Sequence, residues 1–293
     1  QVYKMQKTFA LSLTVNPEKQ AAIEIERLLK FPGFLKRDSF AKGRVEIVEL
    51  RVDERSRLCN VALSELNRVI KCRVLVCAVL RRGDVVAPDG SFVLREGDRI
   101  FVTASTEILA TLLDNLGIIT KKVNHVMICG GGRVSYYLAQ QLEKDGMTVR
   151  LIEKDPKHCE ELAALLPKTE IINDDASNTF VLKRENIESC DALVTATGMD
   201  ELNMIISLYG TKHGVSQVIT KLGHMENGSM IDQLPIGSTI WPKDLCCNGI
   251  VRYIRAMHNQ TGAAVSVHSI ADGKAEAIEF HVEEKKPYCD KPL

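Results

Sequence analysis

The most constraining stretch of the chain is Cys129-Gly130-Gly131-Gly132-Arg133-Val134-Ser135, set between a short apolar run, Val126 to Cys129, and a segment with helical spacing of Val134, Leu138 and Leu142. Three adjacent glycines weaken a helix or a strand, so the chain must turn there. A strand that ends on such a turn and feeds a helix points the free N–H groups and the positive dipole end of that helix at the turn, which suits a phosphate. Gly130 permits the tight turn and Gly132 lets a pyrophosphate approach the backbone, as in the pattern G-x-G-x-x-G. Ser135 stands where that pattern has its third glycine, a position that serves helix-to-strand packing, so phosphate binding survives there while the packing loosens.

The next apolar segment ends on Glu153, 23 residues after Gly130. An acidic side chain there accepts hydrogen bonds from both ribose hydroxyls and repels a 2′-phosphate, by roughly 4 kcal/mol for unit charges at 4 Å before salt screening. NAD is therefore favoured over NADP, with Lys154 offsetting part of the repulsion. Asp155 before Pro156 reads as a helix N-cap. Further apolar runs alternate with helical spacings, as successive βα units do, and Leu202, Ile205, Ile206 and Tyr209 share one face that should meet a sheet. The fold class is α/β, with a Rossmann-type parallel sheet lobe over 123–260. Asp175-Ala176 follows the third strand, and Thr197-Gly198 with Asp200 follows the fourth. All lie at the carboxyl edge, where ligands of open α/β sheets bind. Asp175 is placed to meet an adenine edge, and Thr197 with Gly198 to pass near ribose or pyrophosphate. A turn role for Asp175 and a helix-start role for Asp200 fit those residues as well.

The two ends of the chain resemble each other. At an offset of 225, Leu11 to Val15 aligns with Ile236 to Ile240, Pro17 with Pro242, Ile25 with Ile250 and Leu29 with Ile254. At an offset of 230, Gly43 aligns with Gly273, Glu46 with Glu276, Val48 with Ile278, Glu49 with Glu279 and Cys59 with Cys289. Such self-similarity marks a tandem build. It divides the chain into a nucleotide-lobe tail (1–32), a complete small α+β accessory lobe (33–119), the Rossmann-type lobe (123–260) and the start of a second small lobe (261–293), so that partial copies of each lobe flank the complete ones. The tail should hold a strand at 11–15 and a helix after Pro17 whose apolar faces are exposed, which predicts self-association or instability in isolation. The small lobe should carry strands around 44–52, 73–81 and 98–104, helices around 60–67 and 106–115, and a hairpin-type turn at Asp89-Gly90.

The 38 Lys and Arg balance 38 Asp and Glu, which lacks the basic excess of a nucleic-acid binder. No apolar run approaches the roughly 20 residues of a membrane helix. The nine cysteines contain no C-x-x-C pair and the seven histidines no H-x-x-x-H spacing, so neither a metal site nor a disulfide framework is expected, and a reducing cytoplasm fits.

Gly130 to Val134, the strand ending Leu151-Ile152-Glu153-Lys154-Asp155, Asp175-Ala176, the run Thr197 to Asn203 and the flanking repeat together resemble the TrkA-type potassium-uptake regulators. The resemblance implies two tandem pairs of an RCK (KTN) nucleotide-binding lobe and a small C-terminal lobe, of which this chain looks like the central half. It implies a homo-oligomeric ring beneath a membrane potassium-channel subunit, on the cytoplasmic side, that binds NAD(H) or else ATP or ADP; NAD(H) is the favoured ligand. By position it gives Gly130, Gly132 and Arg133 to the phosphates, Glu153 to the ribose, Asp175 and Ala176 to the adenine, and Thr197, Gly198 and Asp200 to the remaining face. Lys221, where the family often has arginine, would reach phosphate. It implies regulation rather than catalysis, the nucleotide biasing a channel's gating. An NAD-dependent oxidoreductase shares the fold but needs a proton-transfer residue, and the only Tyr-x-x-x-Lys pair is Tyr3 and Lys7. A small-molecule sensor acting through 33–119 is compatible with the regulator.

Overall fold

The computed structural model describes residues 13–30, 36–40, 44–54, 56–117, 122–223, 231, 234–258, 266–271 and 274–280. Helix α1 (Pro17–Lys30) starts with proline at its first position, the Asn16 side chain accepting from Lys19 N, and carries Glu18 in its first turn and Lys30 in its last, as the macrodipole favours. An antiparallel sheet follows, built from β1 (Lys36–Phe40), β2 (Val45–Arg51), β3 (Leu75–Arg81), β4 (Asp84–Val86) and β5 (Arg99–Ala104) in the order β1-β2-β5-β3-β4, with helix α2 (Leu66–Ile70) before β3 and helix α3 (Thr106–Leu116) after β5. Alternation decides its two faces. Val48, Leu50, Ile100 and Val102 pack with Leu109 and Leu112 of α3, whereas Ile47, Ala78, Leu80 and Phe101 form the opposite face.

Two expectations are corrected in this lobe. The hairpin lies at Arg82-Gly83, where both residues have positive φ (52° and 89°) and join β3 to β4, so the partner edge of β3 is already filled before Asp89. Asp89-Gly90 is instead an Asx turn, the Asp89 carboxylate accepting from Ser91 N and Oγ. A 3₁₀ turn at Leu63–Glu65 and the short α2 replace the helix expected at 60–67.

The second sheet is parallel throughout. Its elements are β6 (His125–Cys129), α4 (Arg133–Lys144), β7 (Thr148–Glu153), α5 (Pro156–Leu165), β8 (Glu170–Asn173), α6 (Thr179–Arg184), β9 (Ala192–Thr195), α7 (Asp200–Lys212), β10 (Gln217–Lys221) and β11 (Ser238–Ile240). The strand order is β11-β10-β9-β6-β7-β8. The run β6-β7-β8 grows to one side and β9-β10-β11 to the other, so the switch point lies between β6 and β9, directly beneath the glycine turn. Val126 to Cys129 and Ala192 to Thr195 are buried without interruption, as strands covered on both faces must be. Helix α8 (Pro242–His258) and a hairpin of β12 (Ser266–Ile270) and β13 (Ala275–Glu279) complete the described elements.

The repeat is structural. Helices α1 and α8 begin at Pro17 and Pro242, and the register Lys36↔Glu49 to Phe40↔Val45 recurs 230 residues later as Ser266↔Glu279 to Ile270↔Ala275. The copies also pack on each other: α8 lies beside α1, and Ile270 and Ala271 cover the Phe101 face of the five-stranded sheet. The apolar face of α1 is not exposed, contrary to expectation. Ala21, Ala22, Ile25, Leu28 and Leu29 are buried in one core with Val134, Leu138 and Leu142 of α4. Nor do residues 13–15 form a strand, because the sheet edge beside β10 is occupied by β11; residues 11 and 12 lie outside the described residues.

Candidate functional site

The glycine turn sits where β6 hands over to α4. Gly130 has φ +98°, and a Cβ there would meet Thr197 Cα at 2.8 Å and Ala196 O at 2.9 Å, so only glycine fits. A Cβ on Gly131 would meet Leu162 Cδ1 at 2.7 Å and Glu153 Oε2 at 2.9 Å. Gly132 differs. Its backbone is extended (φ −65°, ψ −179°), it is the residue before α4, and its nearest neighbour to a built Cβ is Ala196 O at 4.0 Å. The space in front of Gly132 is thus a cradle that a side chain would fill, and the first-turn N–H groups of α4 that open beside it have no intrahelical acceptor.

Glu153 closes the turn from β7. Its Oε2 accepts from Gly131 N at 2.7 Å and its Oε1 from Asp155 N at 2.9 Å, which leaves a lone pair on each oxygen for further donors. His158, in the first turn of α5, holds the same glycine from the other side, with Nε2 2.9 Å from Gly131 O and Nδ1 3.2 Å from Glu161. The Gly131 carbonyl, then Glu161 and the nearby charge of Glu153, keep this imidazole above its ordinary range. Asp155 caps α5 as the sequence indicated, accepting from Lys157 N.

The far wall is the loop after β9. Asn203, fully buried in α7, accepts from Thr197 N (2.9 Å) and Thr197 Oγ1 (2.7 Å) and donates to Lys221 O (2.9 Å), tying two strand ends together. Lys221 donates from Nζ to Thr197 O at 2.8 Å; burial pushes its ammonium below the ordinary lysine range against the opposing charge of Asp200. Asp200, the first residue of α7, accepts from Gly223 N with both oxygens (2.9 and 2.8 Å). Gly198 has open space at its Cβ position. Gly130, Gly132, Glu153, Thr197, Gly198 and Lys221 are therefore gathered at the carboxyl edge of the sheet, at the switch point.

Two expected residues are held more by the fold. Asp175 is an exposed turn residue whose Oδ1 accepts from Ser177 N at 2.8 Å; that bond, the Ser177 hydroxyl and the charge of Lys154 hold its carboxyl below the usual range. The Ala176 side chain is buried with Val181, Leu182 and Ile206 between α6 and α7. Arg133 projects its guanidinium into solvent, 3.4 Å from Glu18. Ser135 is fully buried, its Oγ without a hydrogen-bond partner among the described residues. The face assigned to α7 is corrected at one residue: Ile206 is buried and Leu202 and Tyr209 pack against the same core, whereas Ile205 is 62% exposed, and Asn203, Ser207 and Gly210 also point inward. Ser207 Oγ meets Thr195 Oγ1 (2.9 Å) and Thr220 Oγ1 (2.7 Å). Asn203 and His158 are the site residues that sequence reasoning left unassigned. The signal for Asn203 was its place one helical turn after Asp200 at a strand's carboxyl end. Tyr3 and Lys7 lie outside the described residues.

Two family models match the chain, the TrkA-N domain over residues 126–242 and the TrkA-C domain over 47–117. Among curated relatives, the chain is 31% identical over 269 residues to the Trk system potassium uptake protein TrkA of Haemophilus influenzae, covering 91% of this chain and 57% of that protein. It is 27% identical over 287 residues to a TrkA homologue of Methanosarcina mazei, covering 97% of this chain and 68% of that one. The chain thus spans well short of the whole length of the relatives it matches. Among solved structures, the GsuK RCK domain superposes with a TM-score of 0.62 at 15% identity (90% of this chain, 57% of that one). The GsuK channel bound to NAD gives 0.56 at 17% (85% and 45%), and both show the shared fold.

Proposed function

We propose that this chain, which carries a TrkA-N and a TrkA-C domain, is a regulatory, non-catalytic component of a potassium-uptake system that binds NAD(H) and thereby biases the gating of a membrane potassium channel from the cytoplasmic side. The observation that carries this reading is the open cradle at Gly132, beside the head of α4, with Glu153 anchored on Gly131 and still able to accept from a ribose. In this reading Gly130, Gly132 and Arg133 hold the diphosphate and Glu153 the adenosine ribose. Lys154, Asp175 and Ala176 flank the adenine, while Thr197, Gly198, Asp200 and Lys221 form the opposite wall. Residues 33–119 act as the small lobe and 123–260 as the nucleotide lobe of an oligomer. A bound nucleotide shifts two arrangements only by its difference in affinity for them.

Support comes from the TrkA-N match over the cradle and from the fold shared with the GsuK channel bound to NAD. Titration calorimetry with NAD, NADH, NADP, ATP and ADP tests it. NADH should bind, with NADP at least tenfold weaker because of Glu153. Absence of binding by any of the five would refute the nucleotide reading, and tighter ATP or ADP would replace NAD(H) as the ligand.

A further inference from the structure

One carboxylate from far upstream reaches the glycine turn. Glu18, in the first turn of α1, places Oε1 3.4 Å from Nη1 of Arg133, the first residue of α4. The two helices run side by side in the same direction. At their far ends Lys30 Nζ lies 2.9 Å from Asp145 Oδ2, and between the two ion pairs Ala21, Ala22, Ile25 and Leu29 share a core with Val134, Leu138 and Leu142. The head of α1 is therefore fixed beside the head of α4, where a diphosphate would lie.

We propose that Glu18 is a positioning residue of the nucleotide site: it holds the Arg133 guanidinium against α1 and competes with a ligand phosphate for it. The inference rests on the nucleotide reading above. The Arg133 side chain is 81% exposed, so its pair with Glu18 is weak, whereas arginine can meet a phosphate with two parallel, charge-assisted bonds. Phosphate wins the exchange, and Glu18 remains nearby as an unpaired like charge that lowers affinity. Helix formation does not require this carboxylate, since the repeat copy α8 carries Lys243 at the corresponding place. Helix α1 ends at Lys30 and the chain enters the five-stranded sheet at Lys36, so Glu18 stands on the helix that leads into the small lobe.

Glu18→Gln tests this by NADH titration at low salt, alone and combined with Arg133→Gln, alongside Glu18→Asp and thermal melts of each variant. Glu18→Gln should bind NADH about threefold tighter than wild type, Glu18→Asp should stay close to wild type, and the gain should vanish in the Arg133→Gln background. A carboxylate that merely supports the fold would give the opposite sign, with lower melting temperature and equal or weaker binding. Unchanged or weaker affinity in Glu18→Gln, or an equal gain without Arg133, overturns the proposal. Failure of the wild type to bind NADH would instead refute the nucleotide reading, and this inference with it.

Discussion

Gly130 and Gly132 stand two residues apart and answer to different demands, which lets substitution separate the fold from the ligand. At Gly130 the backbone has φ +98°, and a new Cβ would sit 2.8 Å from Thr197 Cα and 2.9 Å from Ala196 O, both main-chain atoms that cannot rotate away. Gly130→Ala therefore incurs left-handed strain of ~1–2 kcal/mol and overpacking of ~1–3 kcal/mol. In a chain of this size each kcal/mol lowers the melting temperature by about 2–4 °C, so the fall should be on the order of 10 °C. At Gly132 the backbone suits any residue and the nearest atom lies 4.0 Å from a built Cβ. Gly132→Val loses only a mildly favoured residue at a helix start, costing under about 1 kcal/mol, and should melt within about 3 °C of wild type. Its methyl groups nevertheless fill the cradle over the head of α4. NADH should bind at least tenfold more weakly, equivalent to about 1.4 kcal/mol. Circular-dichroism melts and calorimetric titration read the two effects separately. Wild-type NADH affinity in Gly132→Val would mean that the diphosphate does not lie on this turn, and an unchanged melt for Gly130→Ala would refute the described turn itself.

Three further outcomes follow from the same site. Ser135→Ala removes a fully buried hydroxyl that has no partner among the described residues and improves helix propensity, so it should stabilise the protein by about 0.5–2 kcal/mol; a loss in chemical denaturation would show that the hydroxyl is bonded after all. Glu153→Gln keeps an acceptor for Gly131 N while deleting the charge, and the NADPH-to-NADH affinity ratio should rise at least tenfold; an unchanged ratio would take ribose selection away from this residue. For His158 the folded-state pKa is raised, so its stabilising contribution is full below the ordinary value of 6.5 and lost as pH climbs through the folded value. Urea unfolding at pH 6.0 and 8.5 should show wild type losing more stability over that interval than His158→Gln, and parallel losses would dismiss the imidazole as a contributor.

The turn, Glu153 and the Asp155 cap are legible in the sequence because each is a local pattern: glycines where φ or close approach demands them, a carboxylate at a strand end, an N-cap before proline. The polar part of α7's inward face is not. Apolar spacing put Leu202, Ile205, Ile206 and Tyr209 inward, and all but Ile205 pack there, but Asn203 and Ser207 face in as well, bonding to strand ends at Thr197, Lys221, Thr195 and Thr220. Gly210 allows this, since a Cβ there would come within 2.4 Å of Leu193 Cδ2. Such partners lie 6 to 18 residues away along the chain and leave no periodic trace. Lys221 and Asp200 were readable as charges at the right edge, but not as the clamps on Thr197 O and Gly223 N that they are.

The two copies in the repeat are packed unequally. Equivalent faces of α1 and α8 meet different surroundings: Ile25 is sealed against α4, while its counterpart Ile250 is 38% exposed. Burial is therefore set by the neighbour, not by the helix, and the neighbour of α1 is the helix whose head forms the phosphate cradle. Both flanking copies touch the small sheet, α1 by leading into β1 and the β12–β13 hairpin by covering the Phe101 face, yet among the described residues it is α1 that is tied to α4 at both ends, by Glu18–Arg133 and Lys30–Asp145. These two ion pairs differ in kind. Lys30 is held by Glu26 of its own helix and by Asp145 across the helix pair, and both raise its pKa, whereas Arg133 is mostly in solvent. The head of α1 and the cradle thus meet through the more exposed of the two ion pairs.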